Sequence, residues 1–312
     1  MLARLRAHNM LSALIVCVTF TRGADAADPL PIKDGDRIVL VGSTFIERDV
    51  RYGCIETLMT TQFSGYAITF RNLGWSGDEV SGIARASFDP IPKGYERLVN
   101  QIKDAAPTVL LMSYGQNESF NGAQGLDGFI AGYAKLLDDV APLNARIVLI
   151  SPTLQQDLGA PLPDPTEHNK DIRLYVDAIG KLAATRGLRF IDMTKALSFP
   201  NEIPLSHWTD NGVHFTEAGY WRVASAIIEG LGYPAAQPDN EKLTQIQRVI
   251  NEKNRLFFLK WRPQNETYLT GFRQYEQGKN AAEIPLFDPL VMEQEKKISD
   301  LRAALPKEGA RQ

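Results

Sequence analysis

Short apolar runs alternate with longer amphipathic stretches from Arg37 to about Tyr233. Runs rich in Ile, Val, Leu or Phe with little alternation are typical of strands that are buried on both faces of a parallel sheet. The predicted strands cover residues 37–43, 67–72, 108–114, 146–151 and 188–192. The predicted helices cover residues 50–63, 95–104, 128–140, 169–186 and 216–231. This alternation predicts an α/β fold, a three-layer α/β/α sandwich with a five-stranded parallel, flavodoxin-like sheet.

The pattern changes after Pro234. Residues 235–240 contain proline and polar side chains, which are typical of a linker, and residues 241–260 predict a charged amphipathic helix. An aromatic-rich segment and a last predicted helix at 288–305 follow. We interpret residues 235–312 as a helical, aromatic-rich C-terminal extension whose rings pack against the main domain. The alternative is a lid or a partner-docking surface over the substrate cleft.

The amino terminus has the organisation of an export signal. Arg4 and Arg6 precede an apolar stretch at residues 10–20, and Ala24-Asp25-Ala26 has the small-x-small pattern that signal peptidase accepts. We therefore predict a signal peptide at residues 1–26, cleavage after Ala26, an exported protein (periplasmic or secreted) and a main domain at residues 27–234. Because the apolar stretch is shorter than the roughly 20 residues that cross a bilayer, no stable membrane anchor is expected.

Charge and cysteine content narrow the possible partners. The chain has 34 Lys plus Arg against 37 Asp plus Glu, a formal net charge of −3, so it lacks the basic excess that grips nucleic acid. Of its 2 cysteines only Cys54 remains after the predicted cleavage, which excludes an intramolecular disulfide. We expect Cys54 to be a small buried apolar residue. The oligomeric state is left open.

Polar residues collect in the loops where ligands bind to an open parallel sheet, at the carboxyl ends of its strands. The first three predicted strands lead into Gly42-Ser43-Thr44, into Asn72-Leu73-Gly74-Trp75-Ser76-Gly77-Asp78, and into Gly115-Gln116-Asn117-Glu118, and the loop before the last helix is Asp210-Asn211-Gly212-Val213-His214. A hydroxyl, a glycine, an amide side chain and an imidazole are therefore expected on one rim of the sheet.

These residue types fit acyl transfer. A hydroxyl becomes a good nucleophile when an imidazole takes its proton, and the imidazole works best when a third group fixes its tautomer. His214 is the candidate base. The negative oxygen of a tetrahedral intermediate needs fixed donors, for which the backbone N–H of Gly74, the side-chain amide of Asn117 and the nucleophile's own N–H are candidates.

Over about residues 35–231 these blocks resemble the SGNH hydrolases, also called the GDSL family of esterases and lipases. The family has Gly-Asp-Ser after its first strand, a Gly after the second, Gly-x-Asn after the third and Asp-x-x-His near the end. Here Gly74 resembles the second block, Gly115 and Asn117 the third, and His214 the last. The resemblance implies an esterase or carbohydrate deacetylase that forms an acyl-enzyme with a small-molecule or carbohydrate ester. The alternative is a catalytically silent member that binds a glycan or a protein partner.

Two positions leave alternatives open. Counting from Gly42, the family's nucleophilic Ser falls on Thr44 and its Asp falls on Ser43. Successive residues that leave a strand point to opposite sides, which favours Thr44, whereas the β-methyl that crowds a threonine oxygen favours Ser43. We prefer Thr44, because the strand fixes geometry.

The residue that orients the imidazole is equally open. Counting back from His214, the family's Asp falls on Asn211, and Asp210 lies one residue further away. An Asn can orient an imidazole but cannot stabilise its cation as a carboxylate does. Either residue could instead cap the following helix or shape the turn.

The remaining polar candidates have ordinary structural explanations. Glu47, Arg48 and Asp49 could line the cleft or simply begin a solvated helix, and Trp75 could stack on a sugar or pack beside a tight turn. His168 and His207, predicted in surface loops, have no metal-ligand spacing. The Gly-x-Gly-x-x-Gly motif of dinucleotide-binding proteins is absent after the first strand. No metal or other cofactor is therefore predicted.

Overall fold

A single parallel sheet organises the computed structural model, which describes residues 28–197, 208–235, 240–269, 271–277 and 280–306. The sheet has five strands in the order β2-β1-β3-β4-β5, the flavodoxin-like order, and the predicted α/β fold is confirmed. The strands are β1 (Arg37–Gly42), β2 (Thr69–Gly74), β3 (Val109–Ser113), β4 (Arg146–Ile150) and β5 (Arg189–Ile191). Gly42 pairs with Gly74 on one side and with Ser113 on the other, so the loops after β1, β2 and β3 start at one level.

Helices cover both faces of the sheet. The helices are α1 (Thr44–Arg48), α2 (Cys54–Gln62), α3 (Ile91–Asp104), α4 (Leu126–Val140), α5 (Thr166–Arg186), α6 (Met193–Ala196), α7 (Glu217–Gly230), α8 (Asn240–Trp261), α9 (Glu266–Leu269), α10 (Gln274–Gln277) and α11 (Phe287–Ala303). In β1, Ile38 and Leu40 point into the core that α2 and α7 close, whereas Val39 and Val41 point into the core that α3, α4 and α5 close.

The first strand and its exit differ from the sequence prediction. β1 ends at Gly42 rather than at residue 43, Ser43 is extended (φ −86°, ψ −154°), and Thr44 starts the short helix α1, which was not predicted. The following helix starts at Cys54 rather than at residue 50, because Gly53 adopts a left-handed conformation (φ 61°) that interrupts the helical path. Cys54 itself is fully buried, as expected.

The second strand lies two residues later than predicted. Pairing with β1 runs from Arg37 beside Thr69 to Gly42 beside Gly74, so the partner strand sets the ends of β2. An apolar run in the sequence cannot show this register, because pairing is a tertiary property.

The C-terminal extension packs on the edge of the sheet. Its long helices α8 and α11 correspond to the two predicted ones and meet through Ile246, Ile250 and Ile298. Lys253 of α8 is buried and donates to both carboxylate oxygens of Glu56 in α2, each at 2.7 Å. The predicted signal peptide and residues 236–239 of the predicted linker lie outside the described residues. In the described ranges, no helix is long and apolar enough to cross a membrane.

Candidate active site

A small cavity of about 50 Å³ lies beyond the carboxyl ends of β1 and β3. The structure brings the sequence candidates Ser43, Thr44, Asn117 and His214 together on its wall. The full lining is Ser43, Thr44, Phe45, Arg48, Gln116, Asn117, Thr153, Val213, His214, Phe215 and Tyr220. Cavities of about 540 and 410 Å³ lie where the extension meets the main domain, and neither is lined by Thr44 or His214.

Thr44 presents its hydroxyl to a backbone donor. It is the first residue of α1 and is half-buried, and its Oγ1 accepts the N–H of Gly77 at 3.1 Å. Ser43 also lines the cavity but is only 2% exposed. Because a nucleophilic oxygen must be reached by substrate, this difference in exposure favours Thr44 over Ser43.

Gly74 does not supply the backbone donor expected from the sequence. Its N–H donates to the side-chain Oδ1 of Asn72 at 2.8 Å, so this donor is already used. A Cβ at position 74 would stand 2.2 Å from the backbone nitrogen of Glu47, which shows that this glycine allows α1 to approach β2 closely.

Gly77, rather than Gly74, has the backbone N–H that contacts Thr44. Its φ of +74° is the left-handed conformation that favours glycine, and its N–H is the one that faces Thr44. The available signal was the second glycine of the motif, in Ser76-Gly77-Asp78, which becomes the loop glycine once β2 is known to extend to Gly74.

Asn117 connects the loops that follow β2 and β3. Its Nδ2 donates to the backbone oxygen of Asp78 at 3.0 Å, which leaves the second N–H of the amide for a ligand in the cavity. The next residue, Glu118, is buried and accepts the N–H groups of Val80 at 3.0 Å and Gly115 at 2.9 Å. Burial raises the pKa of Glu118 to about 7. Glu118 therefore fixes both loops around Asn117.

His214 follows a tight turn that Asn211 shapes. Oδ1 of Asn211 accepts the backbone N–H groups of Val213 at 3.1 Å and His214 at 2.9 Å. These two donors set the orientation of the amide, so its Nδ2 lies 3.1 Å from Nδ1 of His214. Since an amide nitrogen can only donate, Nδ1 accepts, and the neutral ring carries its proton on Nε2.

Asp210 is the carboxylate nearest to this ring in the described ranges. Its Oδ1 is 4.0 Å from Nδ1 of His214, while its Oδ2 accepts from Nη2 of Arg48 at 2.7 Å. Burial lowers the pKa of His214, the charge of Arg48 lowers it further, and Asp210 opposes both. Neither Asp210 nor Asn211 caps α7, because Thr216 does so by accepting the N–H of Gly219.

The charged residues of α1 and its continuation have separate partners. Glu47 accepts the N–H of Ser76 and pairs with Arg262 at 2.6 Å, and Arg48 lines the cavity. Asp49 is buried, which raises its pKa to about 7, and it accepts the N–H of Cys54 at 3.0 Å. The expectation of a solvated helix start therefore does not hold for Asp49.

Trp75 and His168 pack against other side chains outside the cavity lining. Trp75 lies under the guanidinium of Arg262, with 3.9 Å from Cζ to the ring centroid, and meets Trp261 edge-on at 5.8 Å. His168 lies in α5 rather than in a loop, stacks on Phe120 and places Nε2 2.9 Å from Oγ of Ser119. His207 lies outside the described residues. In the part of the chain that the structure describes, no group of three or more potential metal ligands occurs.

Solved structures share the fold. A catalytic mutant of Axe2, an acetylxylan esterase from Geobacillus stearothermophilus, has 16% identity and a TM-score of 0.51 over 67% of this chain and 99% of that chain. A gut microbial diltiazem-metabolizing enzyme, BT4096, has 12% identity and a TM-score of 0.62 over 88% of this chain and 96% of that chain. The match to BT4096 covers 88% of this chain, which is more than the residues that precede the extension. Part of the extension is therefore also similar in fold.

The sequence comparisons identify the family. A search of curated proteins found no match. The model of the GDSL-like Lipase/Acylhydrolase family matches residues 53–222, which is more than half of the chain and includes Gly77, Asn117 and His214. Thr44 and Ser43 precede the matched region. On this match the chain belongs to the GDSL-like lipase/acylhydrolase family.

Proposed function

We propose that this protein hydrolyses esters of short acyl groups through an acyl-enzyme on Thr44. One observation carries the proposal: Oγ1 of Thr44 meets the N–H of Gly77 at 3.1 Å in the loops around the cavity that His214 and Asn117 also line. A backbone N–H beside the nucleophilic oxygen is in a position to bind the carbonyl oxygen of an ester during attack. The family and the esterase neighbour support the reaction class.

The mechanism assigns each step to a side chain. Nε2 of His214 takes the proton of Thr44 as Oγ1 attacks the ester carbonyl. The N–H of Gly77 moves from Oγ1 to the resulting oxyanion as Oγ1 bonds to carbon. The amide of Asn117 and the N–H of Thr44, which has no intrahelical acceptor at the first position of α1, hold the same oxygen. His214 then protonates the leaving alcohol. A water molecule that gives its proton to His214 then attacks the acyl-enzyme, and collapse of the second oxyanion releases the carboxylic acid and regenerates Thr44.

Asp210 is the group proposed to orient the imidazole. The base must carry its proton on Nδ1, and a carboxylate is the acceptor that stabilises this tautomer and the cation formed from it. Asp210 lies 4.0 Å from Nδ1 and is about half exposed, so to orient the ring it must loosen its bond with Arg48 and replace the amide of Asn211 at Nδ1.

The size of the cavity selects the acyl group. A space of about 50 Å³, walled by the buried rings of Phe215 and Tyr220, is only a few times the roughly 10–15 Å³ that one water needs, which favours a short acyl group such as acetyl over a long chain. The acetylxylan esterase named among the neighbours also supports an acetyl ester of a carbohydrate as the substrate.

Export after cleavage at Ala26 would give this enzyme access to such substrates outside the cell. Amino-terminal sequencing of the secreted protein should then start at Ala27.

The alternative is a silent member of the family that binds a glycan or a protein partner. The amide nitrogen of Asn211 facing Nδ1 of His214 favours it, because this contact holds the imidazole in the tautomer that cannot accept a proton on Nε2.

Hydrolysis of p-nitrophenyl esters by the mature chain separates the two functions. We expect turnover of the acetate and little of the octanoate, a loss of about 10²–10⁴-fold in His214→Ala, and a similar loss in Thr44→Val. Ser43→Ala should keep most of the activity. His168→Ala is a matched control, since this histidine contacts the hydroxyl of Ser119 but lies outside the cavity. Full activity in His214→Ala would reject the mechanism, and an inert parent chain would favour the silent alternative.

A further inference from the structure

The C-terminal extension reaches the loop that carries Gly77. Helix α8 ends at Trp261, and the N–H of the next residue, Arg262, still donates to the oxygen of Phe258 at 2.9 Å. This helical turn directs the guanidinium toward the loop after β2, where its Cζ lies 3.9 Å from the ring centroid of Trp75. Arg262 therefore contacts the segment between β2 and Gly77.

One carboxylate joins this guanidinium to both sides of the candidate site. Nη1 of Arg262 donates to Oε2 of Glu47 at 2.6 Å, and the same oxygen accepts the N–H of Ser76. Glu47 lies three residues after Thr44 in α1, and Ser76 is adjacent to Gly77. The Arg262–Glu47–Ser76 link thus fixes the helix of the hydroxyl relative to the loop of the backbone donor.

The peptide that carries the donor is open to solvent on one side. Ser76 and Gly77 are exposed, and a Cβ at Gly77 would meet nothing within 4 Å, so the bond from Ser76 to Glu47 is a contact that can hold this peptide in place. A backbone donor stabilises an oxyanion only when it is held in position beforehand. A planar guanidinium can stack on Trp75 and donate in its plane to Glu47 at the same time, which an ammonium cannot.

We propose that Arg262 is a positioning residue for catalysis, which holds the Gly77 N–H in place through Glu47 and Trp75. This inference rests on the proposed ester hydrolysis. It assigns to the extension a part in the reaction, although no atom of Arg262 needs to touch the substrate.

The test compares Arg262→Ala and Arg262→Lys with Arg273→Ala. Arg273 is a matched control: it also belongs to the extension, pairs with Glu276 and lies over the ring of Tyr268 at 4.8 Å, and neither partner belongs to the Gly77 loop or to α1. We expect Arg262→Ala to lower kcat for p-nitrophenyl acetate by about 10- to 100-fold with KM unchanged, as misplaced groups do. Arg262→Lys should lie between this variant and the parent, and Arg273→Ala should match the parent.

Hydrogen–deuterium exchange gives a readout that does not need activity. In Arg262→Ala, exchange should rise in peptides covering residues 74–82 and stay unchanged in those covering β3 and β4. The proposal would be overturned if Arg262→Ala kept both the kcat and the exchange rates of the parent chain, or if Arg273→Ala lost as much kcat as Arg262→Ala. If Arg262→Ala does not fold, Arg262→Lys decides by the same criteria. An inert parent would reject ester hydrolysis, while unchanged exchange in the variant would separately reject the positioning role.

Discussion

The side chain that faces the imidazole of His214 is the amide of Asn211, in the position where the family has a carboxylate. Oδ1 of Asn211 is occupied by two backbone N–H groups, so the amide cannot rotate to accept from His214 without losing the turn. In Ser-His-Asp enzymes, replacing the Asp by Asn lowers kcat by about 10⁴-fold because the ring takes the wrong tautomer. The parent chain should therefore be a slow esterase.

Asn211→Asp should raise the activity. One carboxylate oxygen can keep the two backbone bonds that Oδ1 makes now, while the other accepts from Nδ1 of His214. We expect kcat for p-nitrophenyl acetate to rise at least about 10-fold, with about 10⁴-fold as the upper bound. Asn144→Asp is the control, because it adds the same charge at an exposed position that does not line the cavity. An unchanged or lower kcat in Asn211→Asp would show that Asn211 does not limit the reaction.

Arg48 should set the acid limb of the pH profile. The general base must be neutral, and burial and Arg48 lower the pKa of His214 below its ordinary value of 6.5, so kcat/KM should fall only below pH 6.5. Arg48→Gln removes a positive charge and frees Asp210, and both changes favour the imidazolium. The acid limb should therefore move to higher pH.

Arg51→Gln is the matched comparison, because Arg51 also lowers the pKa of His214 but is the weakest of the contributions. Its acid limb should shift in the same direction by less, and added salt should shrink both shifts. A limb that stays in place or moves to lower pH in Arg48→Gln would contradict this account of the imidazole.

The strands are the elements that the sequence predicts best, because their apolar pattern is local. Buried parallel strands are continuous apolar runs, so all five strands were found near their predicted positions. Thr44 and Asn117 could be placed on one rim because the topology brings the carboxyl ends of β1 and β3 together. Helix α1 was missed, since its five residues are too few to show a periodicity.

The backbone N–H that contacts Thr44 differs from the one expected from the sequence for a tertiary reason. Gly74 is the first glycine after the predicted end of the second strand, but pairing with Gly42 keeps it inside β2. The N–H that faces Thr44 is that of Gly77, and the adjacent Ser76 donates to Glu47, which pairs with Arg262 at a distance of 215 positions in the chain. No pattern of a single sequence shows that such distant residues meet.

At the scale of the whole molecule, the extension and the main domain share a buried ion pair. The side chains of Lys253 and Glu56 are 1% and 5% exposed, and Lys253 also donates to the backbone oxygen of Phe70 on the edge strand β2 at 3.3 Å. Burial raises the pKa of Glu56, and the charge of Lys253 opposes this rise. Either charge alone would be left without compensation in a dry environment.

The chain should consequently unfold as one unit, and Lys253→Met should weaken that unit. Removing one partner of a buried pair costs about 3–5 kcal/mol, whereas replacing both by apolar residues is often neutral, so Glu56→Leu/Lys253→Met should recover most of the lost stability. Calorimetry and far-UV circular dichroism should give one coincident transition in all three proteins. Arg255→Ala breaks only an exposed pair with Glu252 and should change the unfolding free energy by no more than about 1 kcal/mol. Two separate transitions in the parent would show that the extension folds independently, and the link through Lys253 would then not hold the molecule together.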